Sequence, residues 1–205
     1  INVSHTHGAP TILMAPTWQK GFDAPNPRYH QFLEDQIVGA IGTAFTDLHP
    51  AQIHFGRGKT DIGFDRHFIR QDSPDRTLDV IKVTNLDGSI LSVAFFASCH
   101  PVCLGDFNEV NADFPGFTRE QVEAETGGVA IFFQGYAGTC NPKVLDAAIT
   151  GAVLAGDILS VLDQPMSKIE GPLSAASTHL YLPFQPLPTQ ERVTLARSAG
   201  GMFAR

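Results

Sequence analysis

The sequence predicts an α/β fold with a mixed, largely buried β-sheet flanked by helices. Apolar stretches of strand length, at residues 90–98 and 129–133, alternate with longer stretches in which apolar residues recur at helical spacing. A turn at residues 85–88, Asn-Leu-Asp-Gly, joins two strands as a hairpin and makes the sheet mixed. Of the 205 residues, 43% are hydrophobic and 17% are charged, which is enough apolar material for one sizeable core.

The individual elements follow from these periodicities and from turn signals. The stretch at 11–28 is rich in proline and contains the only tryptophan, which predicts a long ordered loop. In chain order, the sequence predicts a strand end at 1–3, this loop, a helix at 29–48, strands at 51–55, 78–84 and 90–98, a helix at 117–125, a strand at 129–133, a helix at 144–162, a strand at 178–182 and a helix beginning within 189–205.

Some of these elements carry further expectations about packing. The strands at 90–98 and 129–133 are almost continuously apolar and are expected to be covered on both faces. Three glycines predict a loop at residues 56–63. The helix at 144–162 is expected to turn four apolar side chains inward, namely Leu145, Ile149, Val153 and Leu159.

Composition also limits the classes of partner. The formal net charge is −7 and no basic cluster occurs, which argues against a nucleic-acid partner. The apolar run at 147–156 is too short to cross a bilayer, so no membrane-spanning segment is predicted. Three cysteines, Cys99, Cys103 and Cys140, are too few for a disulfide framework. One pair could form, but spacing alone does not select it.

Three histidines mark the ends of two predicted strands. His5 and His7 are two residues apart, so on an extended backbone they face the same side. His100 follows the strand at 90–98, at the end of the strand where open α/β sheets place their ligands. Imidazole nitrogen is a common ligand of zinc. Each motif taken alone fits a hydrogen-bonded structural histidine, but the two motifs together predict a metal site.

Further polar candidates lie in neighbouring loops. Arg66 could clamp a carboxylate or an oxyanion, although a solvated surface charge fits its spacing equally well. Asp113 is expected to cap the following helix or, alternatively, to support a metal-bound histidine. The glycine-rich segment at 134–142 lacks the lysine of a phosphate loop and is suited to close contact with a substrate, through Gly135 and Tyr136.

Five blocks of this sequence, taken in order, resemble the neutral/alkaline, non-lysosomal ceramidase family. The first three contain the histidine motifs or the arginine, and the other two surround the predicted helix and form the glycine loop. The blocks read VSHTHGAP at 3–10, GFDR at 63–66, ASCHP at 97–101, NADFPG at 111–116 and FQGYAGTCNP at 133–142.

The resemblance implies a zinc-dependent amidohydrolase that acts on an N-acyl, lipid-like amide, as in sphingolipid metabolism. It implies that His5 and His100 bind Zn²⁺, which activates a water molecule. His7 would then assist proton transfer as an acid–base group. Arg66 would lie on the substrate side of the site.

Two departures from the family pattern qualify these expectations. Asn141 stands where ceramidases carry a serine, so we expect a substrate other than ceramide itself, contacted by Gly135, Tyr136 and Asn141. The family's remaining zinc ligands, a glutamate and a tyrosine, belong to a later block that these 205 residues do not contain.

Residues 1–205 are therefore expected to form a single ceramidase-like catalytic domain that is incomplete at its C-terminus. A second polypeptide or a missing C-terminal half would complete the zinc site. The alternative is a non-catalytic or half-site module that works by binding. The resemblance is compatible with a secreted or periplasmic protein, but the sequence does not assign a compartment.

Overall fold

The computed structural model describes residues 2–10, 12, 26–66, 75–105, 109–183 and 188–198. The chain divides into two compact units, Ile1–Glu170 and Gly171–Arg205. The elements described in the first unit are α1 (Pro27–Thr46), β1 (Ala51–Lys59), β2 (Gly63–Asp65), β3 (Thr77–Asn85), β4 (Ile90–Ala97), α2 (Asp113–Thr126), β5 (Val129–Gln134), β6 (Cys140–Pro142), α3 (Ala147–Leu162) and β7 (Ser167–Ile169). The second unit contains α4 (Gln190–Ser198).

A five-stranded sheet with the strand order β5-β4-β3-β1-β7 organises the first unit. The β4–β5 pair is parallel, and the other three pairs are antiparallel. A parallel pair needs a crossover connection, and α2 lies in the connection between β4 and β5. Strands β2 and β6 form a small separate antiparallel sheet. The predicted mixed α/β fold is therefore confirmed.

The core lies between one face of the large sheet and helices α2 and α3. The residues of this inner face alternate along each strand with those of the opposite face. On β3, β4 and β5 they include Leu78, Val80, Val93, Phe95 and Ala130, each at most 1% exposed. Burying a large apolar side chain of this kind contributes about 1.5–3 kcal/mol.

The opposite face of the sheet, which we call the outer face, is also apolar but is not packed in the same way. All of its apolar side chains remain half-buried or exposed in the described structure. They include Ile53 and Phe55 on β1, Ile81 and Val83 on β3, Ala94 and Phe96 on β4, Val129, Ile131 and Phe133 on β5, and Ile169 on β7. The expectation that β4 and β5 are covered on both faces is therefore wrong.

Helices α2 and α3 meet at a glycine. A Cβ on Gly151 would lie 2.7 Å from the Cβ of Phe117 and 3.0 Å from the carbonyl oxygen of Phe114. The buried hydroxyl of Thr118 lies 3.2 Å from the Gly151 carbonyl and 3.0 Å from that of Phe114. The two helices approach this closely because position 151 carries no side chain.

The buried face of α3 differs from the predicted one. Its fully buried positions include Ala147, Gly151, Leu154, Ala155 and Ile158. The residues expected to point inward do not form the core face: three are exposed and one is half-buried, namely Leu145, Ile149, Val153 and Leu159. The helix is apolar around most of its circumference, so periodicity could not identify the buried face.

The predicted loop at 56–63 is wrong in its first half, because β1 continues to Lys59. Gly56 and Gly58 lie under α3, and a Cβ on Gly56 would stand 2.8 Å from the side chain of Val161. Here glycine allows close packing of a helix on a strand instead of a turn.

Helix α2 begins at Asp113 rather than at residue 117, because proline is tolerated in the first turn of a helix. The strand predicted at 178–182 is wrong, since these residues are exposed and have no regular structure. Residues 2 and 3 are likewise not in a strand. The predicted loop at 11–28 lies outside the described residues, except for positions 12 and 26–28.

Strand β5 forms one edge of the large sheet, and side chains occupy part of that edge. Arg119 of α2 donates to the Ala130 carbonyl over 2.7 Å, and Glu123 accepts from the Ala130 N–H over 3.0 Å. Asn2 makes a similar pair of bonds with Gln134: its amide donates to the carbonyl over 3.2 Å, and its side-chain oxygen accepts from the N–H over 2.9 Å. The same edge is thus bonded at two residues of the strand, Ala130 and Gln134.

Candidate metal centre

The three histidines predicted from the two strand ends meet in space. One ring nitrogen from each of His5, His7 and His100 can be chosen so that all three lie within 4.8 Å of one another. Nε2 of His7 lies 3.2 Å from Nε2 of His100. Two imidazoles on one tetrahedral zinc ion place their nitrogens about 3.3 Å apart. The residues present therefore fit a metal ion, for which they supply up to three nitrogen ligands.

Strong local contacts fix the segment that carries His5 and His7. The Asn111 N–H donates to the Gly8 carbonyl over 2.9 Å, and the Thr6 hydroxyl donates to the Asn111 carbonyl over 3.3 Å. A Cβ on Gly8 would overlap the Asn111 side chain. The turn before α2 therefore holds the histidine segment in place.

The backbone at His5 is not extended as the sequence suggested. Its φ is +55°, in the left-handed region that few residues other than glycine adopt. The rings of His5 and His7 still converge, with centroids 5.5 Å apart. The conformation of the loop brings them together, rather than the alternation of side chains along a strand.

His100 is the buried member of the cluster, at 6% exposure, whereas His5 and His7 are exposed. Its N–H donates to the Cys140 carbonyl over 2.8 Å, which fixes the strand end against β6. Its Nδ1 is buried and makes no hydrogen bond with a described residue. A ligand or a polar group of a substrate would satisfy such an atom.

Burial and neighbouring positive charges favour the neutral form of His7 and His100. Burial, together with the charges of His5 and Arg66, lowers the pKa of His100 to about 4, against an opposite effect of the Ala137 carbonyl. Burial and His5 also lower the pKa of His7, while Asp113 acts in the opposite direction. Neutral imidazole is the form that binds a metal ion.

Arg66 lies at the end of β2, where its N–H donates to the Thr139 carbonyl over 2.9 Å. Its side chain is exposed. Its positive charge contributes to the lowered pKa values of His7 and His100. The structure thus brings this arginine to the histidine cluster.

Asp113 is buried at 2% exposure and has a φ of +52°. One carboxylate oxygen accepts from the Phe114 N–H and the other from the Leu104 N–H, each over 2.7 Å. The residue that caps α2 is Ala112, which makes no side-chain hydrogen bond, and Asp113 is the first residue of the helix, so the expectation that Asp113 caps it is wrong. Asp113 influences His7 through its charge.

Two of the three residues predicted to bind a substrate, Gly135 and Tyr136, lie in the loop after β5, and the third, Asn141, lies on β6. Gly135 and Tyr136 line a cavity of about 390 Å³ together with Asp75, Ser98 and Gln134 among others; the histidines do not line it. The Tyr136 N–H donates to the Ser98 hydroxyl over 3.0 Å, and Tyr136 itself is 82% exposed. On β6, Asn141 carries a buried side-chain oxygen without a described hydrogen-bond partner.

Sequence reasoning missed two residues that shape this region. Asn111 holds the histidine segment, and Gln134 donates to the Cys99 carbonyl over 3.0 Å. Both contacts join positions far apart in sequence. Their only sequence signal was their place within the family-like blocks.

No protein-family model matches the chain. The fold is similar to that of a neutral ceramidase from Pseudomonas aeruginosa, with a TM-score of 0.65 and 17% sequence identity, covering 72% of this chain and 28% of that chain. It is also similar to a second solved structure, a ceramidase complexed with C2, with a TM-score of 0.64, 17% identity and the same coverage of 72% and 28%.

These comparisons establish a ceramidase-like fold, and the resemblance expected from the five blocks is confirmed at that level. The chain spans about 28% of the length of the solved ceramidase chains that it matches. Among the helices in the described ranges, none combines the length and the apolar composition needed to cross a lipid bilayer.

Proposed function

We propose that this chain forms the histidine-bearing part of a zinc-dependent hydrolase that cleaves the amide bond of an N-acyl substrate. The observation that carries the proposal is the cluster of His5, His7 and His100, whose ligand atoms lie within 4.8 Å of one another. The cluster occurs in a fold similar to that of neutral ceramidases.

In this proposal His5 and His100 hold the zinc ion. The bound ion would supply an activated water at neutral pH and polarise the scissile carbonyl. The burial of His100 and its bond to Cys140 fix one ligand rigidly. The exposed ring of His5 leaves the opposite side of the site accessible.

His7 is proposed to hold and transfer the proton that the leaving amine needs. Its Nε2 lies 3.2 Å from that of His100, so it is beside the metal position. The nearby Asp113 carboxylate favours its protonated form, whereas burial and His5 favour the neutral form. These opposing effects suit a group that changes its protonation state during a reaction.

Arg66 is proposed to stabilise negative charge that develops on the substrate. Gly135 and Tyr136 would contact the substrate in the cavity that they line. The buried, unpaired oxygen of Asn141 would accept a hydrogen bond from the substrate. A serine at this position could also bond a substrate, but its shorter side chain would place the oxygen closer to the backbone.

The first experiment measures zinc per chain by elemental analysis after dialysis. We expect close to one zinc ion in the wild-type chain and its loss in His5→Ala and His100→Ala. His49→Ala, which removes an exposed histidine outside the cluster, is the matched control and should retain zinc. Unchanged zinc content in both cluster variants would refute the site assignment.

The second experiment tests turnover with a panel of N-acyl amides and the corresponding esters. We expect zinc-dependent cleavage of amides, with His7→Ala retaining zinc but losing at least ~100-fold in rate, because acid–base catalysis contributes this much. Equal rates for wild type and His7→Ala would remove the proposed acid–base role.

An alternative is that the chain is a half-site that becomes active only with further polypeptide. The observation that favours it is the outer face, an apolar sheet surface that the described residues leave open. A second polypeptide or a C-terminal half that packs there would bring the glutamate and tyrosine that the family resemblance implies. This reading is supported by the extent of the structural match, which covers only 28% of the ceramidase chain.

Co-expression separates the two readings. If the chain alone binds zinc but cleaves no amide or ester, and gains activity with a polypeptide that carries a Pro-Gly-Glu block, the half-site reading is correct. Activity of the chain alone would contradict it.

A further inference from the structure

Cys99, which precedes His100 in the sequence, lies beside Cys140 in the hydrophobic core. Both side chains are almost fully buried, at 0% and 1% exposure. The two thiols lie close enough to interact with each other. A Cβ on Gly63 would overlap the sulfur of Cys140 and lie 3.6 Å from that of Cys99, so both sulfurs sit over the same glycine. The absence of a side chain at Gly63 makes room for the pair.

The backbones of the two cysteines are held together by neighbouring bonds. The N–H of His100, the residue after Cys99, donates to the Cys140 carbonyl over 2.8 Å. The Gln134 amide donates to the Cys99 carbonyl over 3.0 Å. A disulfide requires Cα atoms within about 4.4–6.8 Å. The hydrogen bond between the neighbouring backbones and the position of both sulfurs over Gly63 bring the pair within reach of this bond.

Cys103 has a different environment, although it is only four residues from Cys99. It is half-buried, and its thiol points to the Val144 carbonyl at 3.7 Å. The structure therefore distinguishes one pair among three cysteines, which the sequence spacing could not do.

We propose that Cys99 and Cys140 are a redox-active pair, and that their oxidation to a disulfide locks the strand end of His100 to β6. The oxidant is a small-molecule disulfide such as oxidised glutathione. One cysteine displaces a glutathione thiol to form a mixed disulfide, and the other cysteine displaces the second. Two protein thiols are oxidised, one small disulfide is reduced to two thiols, and both protons leave with them.

The burial of both thiols sets when this exchange takes place. A small disulfide cannot reach them in the closed structure, so oxidation occurs during folding or local opening. Once formed, the bond closes a loop between distant parts of the chain and is expected to raise the thermal midpoint by about 5–10 °C. The proposal concerns the thiols and stands whether or not the chain is a hydrolase.

The test is to refold the chain with oxidised or with reduced glutathione and then alkylate the free thiols under denaturing conditions with N-ethylmaleimide. With oxidised glutathione we expect one alkylated cysteine, Cys103, and a linked peptide pair containing Cys99 and Cys140. With reduced glutathione we expect three alkylated cysteines. Intact mass and peptide mapping give both readouts.

The Cys103→Ser variant is the matched control, because it should fold and still form the linked pair. Cys99→Ser and Cys140→Ser should each lose the link. If either of these buried variants fails to fold, the Cys103→Ser chain alone decides the question. Two alkylated cysteines in that variant after oxidative refolding, or a wild-type link that includes Cys103, would overturn the proposal. Equal thermal midpoints for the oxidised and the reduced chain would contradict the proposed stabilisation by the disulfide.

Discussion

The two faces of the five-stranded sheet carry similar side chains but have different surroundings. On β4, Phe95 of the inner face is completely buried against the helices, whereas the next residue, Phe96 of the outer face, is half-buried and stacks on Phe133 at 4.6 Å. Apolar composition therefore does not determine which face becomes core. The placement of α2 and α3 determines it, and the free energy of folding should depend mainly on the inner face.

The largest difference is expected between two adjacent phenylalanines. Phe95→Ala should lower the free energy of unfolding by about 3–5 kcal/mol, because it removes a fully buried ring and leaves a cavity. Phe96→Ala should cost about 1 kcal/mol, since part of that ring is already in contact with water. Urea denaturation of both variants measures the difference. Equal losses would mean that the outer face is as tightly packed as the inner one.

A second, smaller effect is expected at the interface of the two helices that cover the inner face. Gly151→Ala should lower the free energy of unfolding by about 1–3 kcal/mol, because its Cβ meets backbone and side-chain atoms of α2. Gly156→Ala is the control in the same helix, where nothing lies within 4 Å of an added Cβ. It should raise stability by about 0.5–1 kcal/mol through helix propensity. If Gly151→Ala raised the free energy of unfolding as Gly156→Ala does, α2 and α3 would be able to move apart without loss of stability.

The smallest effect on stability is expected on the outer face of β5. Ile131→Thr should change the free energy of unfolding by less than about 1 kcal/mol, because Ile131 is exposed and threonine retains strand propensity. In the half-site reading, the same substitution should weaken packing of the companion polypeptide. Chemical denaturation and co-purification measure the two effects. A large loss of stability in the chain alone would show that the outer face already takes part in a core.

The sequence predicted those parts of the fold that depend on local patterns. The hairpin at Asn85–Gly88 formed as expected, with Gly88 at a φ of +88°. Helix α1 begins at Pro27, close to the predicted start, because the Asn26 side chain accepts from the N–H groups of the first turn. The convergence of the three histidines was also predicted, although a loop and not a strand end carries His5 and His7.

The features that sequence did not predict depend on long-range contacts. The buried face of α3 is chosen by small residues that allow α2 to approach, and no local pattern distinguishes that choice. Gly56 and Gly58 look like turn residues until α3 is placed over them. The contact between Cys99 and Cys140 likewise depends on how β4 and β6 are brought together.

The bonds along the edge of β5 have a consequence for the behaviour of the chain in concentrated solution. Residues 129–134 contain no charge and no proline, and such a strand at an open edge is a template for pairing with another copy. Arg119 and Glu123 occupy both backbone groups of Ala130, and Asn2 occupies those of Gln134. An incoming strand would have to displace four hydrogen bonds before it could extend the sheet. These polar side chains thereby protect the chain against fibrous aggregation.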